Sequence, residues 1–235
     1  MGKDRIKKHF LIGIDTAHNK NFSYISFGSN GIVNQLRTEI DYLCLRNGIK
    51  KTHFCDIDLN KRKIIYPEIV NLALKYHNLN LYVLEHRKPT DYDAKDFYLH
   101  YLPEEYARFF NFLKNRTCVI RVDVHDDFGV SGVENSTYHL LDSLARKFTE
   151  LLADEPNIFR DKENAVLCKI KCKETGNKLL FSFRKSIGQN SAAIVVADMI
   201  IGFHQLKFRT GDKIFSRTKL DNNFLRRIYY KNIIP

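Results

Sequence analysis

The chain has 235 residues and is 44% hydrophobic, which suffices for one large domain or two small ones, each with its own core. Thirty-eight Lys+Arg against 27 Asp+Glu give a formal net charge of +11, which points to a polyanionic partner, nucleic acid first, with a merely soluble basic protein as the competing reading. No run approaches the roughly 18 apolar residues that a membrane-spanning helix needs, so no such helix is expected.

Five cysteines occur, Cys44, Cys55, Cys118, Cys168 and Cys172. Their number is odd, no CxxC pair exists, and four sit in apolar segments. This reads as reduced core thiols in an intracellular protein, without a disulfide framework or a zinc site. The apolar stretch 10–14 ends at Asp15 and is too short for a secretory h-region. The expectation is a cytoplasmic protein.

In chain order, residues 9–14 form an apolar strand ending at Asp15, and 21–29 alternate at period two, so the two make a hairpin. An amphipathic helix follows over 31–47, with Ile32, Leu36, Ile40 and Leu43 at helical spacing and Gly48 closing it. Residues 51–58 are ambiguous, and 62–77 is a second helix. The apolar run 79–86 reads as a buried strand of the parallel type. After a polar loop over 87–96, Pro103 opens a helix to about residue 115, with Glu104 and Glu105 in its first turn. A strand over 117–125 and a helix over 136–153 come next. Two strands, 165–173 and 178–184, flank a turn, and a long helix runs over 189–208. The basic, aromatic tail has no assignment. Strands alternating with helices behind an opening hairpin predict an α/β fold with a mixed sheet and flanking helices.

Ligands of open α/β sheets sit beyond the carboxyl ends of strands. Asp15 and Asp123 lie at such ends. Asp198 is the one charge in the twelve-residue stretch "AAIVVADMIIGF". Steps of seven and eleven along a helix put Ser191, Asp198, Gln205 and Arg209 on one line, with Gly202 beside it and Ile194, Val195 and Ile201 close by. A solvent face should be broader, so the line reads as a seam lining a groove. Three such acids suit Mg²⁺ or Mn²⁺, hard ions held by carboxylates, water and substrate phosphates, while positive charge elsewhere holds a nucleic-acid backbone. Each acid has a plainer alternative: a turn for Asp15, an ion pair with Arg121 for Asp123, a solvent face for Asp198.

These residues, in this order, resemble the RNase H-like superfamily, and most nearly an RNase H-like family catalogued as a domain of unknown function, with Asp-Glu-Ser-Gly, Glu-Leu-His and Leu-Gln-x-Ala-Asp motifs. "IDTAH" stands at the first motif, "KTHFCDI" at the second with His53 on the histidine, "RVDV" supplies Asp123, and "IVVADMIIG" carries Ala197, Asp198 and Gly202. The match covers about residues 9–210. The resemblance implies a single RNase H-like domain over 1–210, a basic aromatic extension over 211–235, and a metal-dependent nuclease cutting DNA or RNA, with Asp15, Asp123 and Asp198 as catalytic metal ligands. Thr16, Ala17 and His18 depart from the first motif, Lys51 replaces a Glu and Val195 a Gln. Asp56, Asp58 or Glu85 would then replace the carboxylate of a second metal; Asp56 is taken as the further ligand. Arg184, Lys185, Arg209, Arg226 and Arg227 are the candidate nucleic-acid contacts. An inactive nucleic-acid-binding module and a non-enzymatic scaffold are the alternatives.

A calcium loop beginning at Asp56 is rejected, because Lys61 stands at its glycine and Pro67 at its glutamate. "HDD" after Asp123 supplies either a replacement ligand or a turn.

Overall fold

The computed structural model describes residues 8–17, 22–86, 96–125, 136–153, 157–161, 165–210 and 228–233. The expected hairpin is β1 (Lys8–Ala17) and β2 (Phe22–Ser29), paired antiparallel from Phe10↔Ser29 to Ala17↔Phe22. Helix α1 (Asn30–Arg46) buries Val33, Leu36, Ile40 and Leu43, the stripe its spacing announces. It ends at Gly48, whose φ of 65° suits glycine. A single 3₁₀ turn, Phe54–Asp56, occupies the ambiguous stretch. Helix α2 (Leu59–Lys75) starts where the Asp58 carboxylate accepts the N–H groups of Asn60 and Lys61.

Strand β3 (Asn80–His86) pairs antiparallel with β2, so its apolar run reflects burial on both faces and not a parallel neighbour on that side. Helix α3 (Leu102–Phe109) continues as a 3₁₀ segment, Phe110–Asn115. Strand β4 (Cys118–His125) lies parallel to β1, and α4 (Ser136–Leu152) follows. Strands β5 (Asn157–Arg160), β6 (Val166–Lys171) and β7 (Lys178–Ser186) complete a mixed seven-strand sheet in the order β5-β6-β7-β4-β1-β2-β3. Within it β7 is parallel to β4, and β6 is antiparallel to both β5 and β7. Helix α5 (Ala192–Thr210) carries Asp198. From the unassigned tail, β8 (Ile228–Ile233) adds to the outer edge of β3 in parallel.

Helices cover both faces. On one, α3 and α4 pack on Ile12, Ile14, Ile120 and Val122, with Phe110, Phe148, Phe181 and Phe183 forming a run of ring contacts. On the other, α1, α2 and α5 pack on Leu11, Tyr24, Leu81 and Val83. Helix α5 touches the sheet on one side and α1 and α2 on the other, so Val196, Ala197, Met199 and Ile200 are all fully buried. That double covering explains a helix with almost no polar side. Cys44, Cys118, Cys168 and Cys172 are buried and Cys55 is exposed; all five are free thiols. Among the described residues no helix is long and apolar enough to cross a membrane.

Candidate functional site

Period-two alternation decides which side chains of the central strands meet α5. Ile12 and Ile14 of β1 enter the α3/α4 core, so Leu11, Gly13 and Asp15 face α5. On β4, Ile120, Val122 and Val124 face α3 and α4, leaving Arg121, Asp123 and His125 on the α5 side. The register sets Gly13 beside Asp123, and continuing it by two residues sets Asp15 beside His125.

Gly13 is where α5 is seated. A Cβ there would lie 2.2 Å from the backbone carbon of Ala193. Next to it, the Ser26 hydroxyl on β2 donates to the Ala193 carbonyl at 2.7 Å.

Asp123 sits at this seat. Its Oδ1 accepts from Arg121 Nε and its Oδ2 from the Ser191 hydroxyl, both at 2.7 Å. The Ser191 oxygen in turn accepts the Ile194 N–H at 3.3 Å, capping α5. The ion pair with Arg121, one of the two readings of this residue, is therefore formed, and both carboxylate oxygens are engaged.

Asp15 and Asp198 are also buried, at 5% and 6% exposure, far from the solvent face that an ordinary helix aspartate would occupy. Asp15 Oδ1 lies 3.9 Å from Nδ1 of His125. Asp198 Oδ2 accepts the Phe54 N–H at 2.7 Å and lies 4.0 Å from Nε2 of His53, whose Nδ1 is 3.6 Å from Asp56 Oδ2. Burial pushes the Asp198 carboxyl above the usual carboxylate range. His53, the Phe54 N–H and His125 pull the other way, and Asp56 adds to the rise. His125 thus faces Asp15 and is felt by Asp198. The Cys55 thiol is pushed up by desolvation and then by Asp198, with Asp15 and Asp56 adding less. These groups occupy one neighbourhood.

The turn presenting His53, Phe54 and Asp56 is firmly held. Phe54 packs edge-on against Phe203, and the Arg62 guanidinium stacks 4.3 Å from its ring centroid. Arg62 Nη2 donates to the Cys55 carbonyl at 3.1 Å. Gly202 leaves the room: a Cβ there would lie 2.7 Å from Phe54 Cγ. The glycine four residues after Asp198 is needed so that Phe54 can bring its N–H to that carboxylate. Gly188 plays the same part for His125, whose Nε2 would be 2.5 Å from an added Cβ.

Asp58 caps α2. Glu85 is on the α5 side of β3, toward the end of that strand. Arg184 is the cross-strand neighbour of Asp123 on the α5 side of β7, 3.8 Å from Asp161 and donating to Ser182. Lys185 faces the other way, over the Tyr138 ring on the α4 side. The side chains of Gln205 and Arg209, and all of His18, Asp126, Asp127, Arg226 and Arg227, lie outside the described residues. His125 entered the sequence reading only within "HDD", as a replacement ligand or a turn, and not as the neighbour of Asp15. The signal for that was its place two residues after Asp123 on the same strand face.

Among the described residues no three His, Cys, Asp or Glu side chains are grouped to hold a metal ion. A closed cage such as structural zinc needs is therefore not formed by them. Mg²⁺ is usually held by one or two carboxylates, with water and substrate phosphate completing its shell, and Asp15 and Asp198 are two buried carboxylates that share His125 as a neighbour. Among the described residues the hydrogen bond to Asp198 is made at Oδ2 and none reaches Oδ1. No family model matches the chain, and neither a curated sequence nor a solved structure matches it.

Proposed function

We propose that the chain is an RNase H-like, divalent-metal-dependent nuclease that hydrolyses phosphodiester bonds of DNA or RNA, with Asp15 and Asp198 as the carboxylates that hold Mg²⁺ or Mn²⁺. One observation carries this reading. Two buried acids remote in sequence, Asp15 at the end of the opening strand and Asp198 on a late helix, share a neighbour: His125 lies 3.9 Å from Asp15 and acts electrostatically on Asp198. A desolvated carboxylate whose proton affinity is raised by burial is a group that binding of a cation relieves. The net charge of +11 supplies attraction for a polyanion.

A bound ion would supply charge stabilisation at the phosphodiester oxygens and a more acidic coordinated water. The chain's own residues do the rest. The Phe54 N–H fixes Oδ2 of Asp198 and so orients Oδ1. Asp123 is a positioning residue, tying the first turn of α5 to β4 through Ser191. The His53 ring lies between Asp56 and Asp198, 3.6 Å from one carboxylate and 4.0 Å from the other.

The full engagement of Asp123 favours a second reading, a nucleic-acid-binding module on the same fold without cleavage. Calorimetric titration with Mn²⁺, paired with cleavage assays on single- and double-stranded DNA and RNA, separates the two. The nuclease reading expects Mn²⁺-dependent cutting that Asp198→Asn and Asp15→Asn both abolish while nucleic-acid binding survives. Binding without Mn²⁺ uptake establishes the module instead.

A further inference from the structure

Beside the acid pair lies a cavity of about 380 Å³ between the end of α1 and the start of α2, lined by Lys50, Lys51, Lys61, Asp56 and Asp58. Its walls are anchored. Gly48 turns the chain out of α1 at positive φ, and Ile49 and Ile57 are buried beneath the rim. The Lys61 ammonium donates to the Gly48 carbonyl at 2.7 Å, which spends one of its three N–H donors and fixes the group at the cavity wall. Lys50 and Lys51 are exposed and pair with no acid among the described residues. The two carboxylates are directed elsewhere: Asp58 to the first N–H groups of α2, Asp56 toward His53. Three lysines therefore line a concave space against two acids, of which Asp58 caps α2 through Oδ1 and Asp56 lies 3.6 Å from His53.

We propose that this cavity is a phosphate subsite, which takes a phosphate of the nucleic-acid strand next to the one held by Asp15 and Asp198. The inference rests on the nuclease reading for the identity of the strand, and it gives the strand a path: from the acid pair, past Asp56, into the notch between α1 and α2. Asp56 lines the cavity and also faces the imidazole that reaches Asp198, so the two sites share a wall. Lysine suits the task as a compact charge that approaches phosphate oxygens from several directions.

The test is fluorescence anisotropy with 3′-labelled single-stranded oligonucleotides, bearing either a 5′-hydroxyl or a 5′-phosphate, in EDTA so that neither metal nor cleavage takes part. Lys50→Ala/Lys51→Ala/Lys61→Ala should weaken binding at least tenfold near 0.1 M salt. It should also flatten the dependence of log affinity on log salt by about 0.7, the change for one neutralised phosphate on a single strand. Lys50→Ala/Lys51→Ala keeps the Lys61–Gly48 bond and should show a smaller loss of the same kind. Lys171→Ala/Lys173→Ala/Lys178→Ala, on the β6–β7 turn, should change little. A preference for the 5′-phosphate that vanishes in the triple variant identifies a terminal phosphate as the occupant; equal affinities identify an internal one. Unchanged affinity and salt slope in the triple variant, equal losses in the β6–β7 control, or no binding by the wild-type protein overturns the subsite. Lysine-dependent binding without Mn²⁺-dependent cleavage keeps the subsite and removes the nuclease. Cleavage with lysine-independent binding does the reverse.

Discussion

Gly13→Ala is the most demanding test of how the acid site is built. The added methyl group would sit 2.2 Å from Ala193 C and 2.5 Å from both Ala193 O and Ile194 N, all backbone atoms of the first turn of α5. To reach the shortest ordinary contact, near 3.4 Å, strand and helix must part by more than 1 Å. Neither can yield by rotating a side chain. Overpacking of this kind costs about 1–3 kcal/mol. Separation also strains the Ser26–Ala193 and Ser191–Asp123 hydrogen bonds, each worth about 1 kcal/mol. A total near 4 kcal/mol at about 2–4 °C per kcal/mol lowers Tm by roughly 8–16 °C. Thermal unfolding followed by circular dichroism, with urea titration alongside, measures it. Gly31→Ala is the matched control: a Cβ there meets nothing within 4 Å, and Gly31 lies inside α1. It should stabilise by about 0.5–1 kcal/mol. If Gly13→Ala melts within 2 °C of Gly31→Ala, about the scatter of such a scan, then α5 is not seated on β1 as described.

Asp198→Asn keeps an acceptor for the Phe54 N–H but removes the buried charge, so the metal-free variant should gain up to about 2 kcal/mol at neutral pH while losing Mn²⁺ binding. Because folding raises the Asp198 pKa, the stability linked to its proton is complete below the unfolded value of 3.8 and is lost as pH rises through the folded value. The advantage of the variant should therefore shrink toward pH 3.8 in pH-dependent melts; a constant advantage would contradict this. Gly188→Ala should displace the His125 ring from Asp15 and cut cleavage at least tenfold, with a Tm loss under half that of Gly13→Ala, since a side chain and not backbone must move. Titration with Ellman's reagent should modify Cys55 first. Burial pushes the Cys44 and Cys118 thiols up to about 11, and these two, with Cys168 and Cys172, should react only on unfolding.

The α/β architecture was readable because its signals are local. The α1 stripe, Gly48 and the alternation in β2 each act within a few residues of themselves. The parallel reading of β3 held for β8 but not for β2, because a strand buried on both faces is apolar whichever way each neighbour runs. Strand β8 escaped for a related reason: Lys231 and Asn232 interrupt its pattern, and its partner lies far back at β3. At the site, Asp198 was conspicuous as a charge among aliphatic residues. The hydrogen bonds of Asp123 depend on Ser191 arriving from a distant helix, and the reach of His53 depends on a turn whose anchor, Arg62 against Phe54, has no sequence signature.

The strand order has a consequence for biosynthesis. Strand β1 pairs with β4, whose register runs from Lys8↔Cys118 to Ile14↔Val124, and α5 and β8 come from still later in the chain. During translation the outer edge of β3 stays open until β8 emerges, and open edges invite association with other chains. Asp15 is made early and Asp198 late, so the burial of both carboxylates is complete only after most of the sheet has formed. A ribosome-bound intermediate lacking α5 and β8 would be the form most in need of a chaperone, and it would lack Asp198.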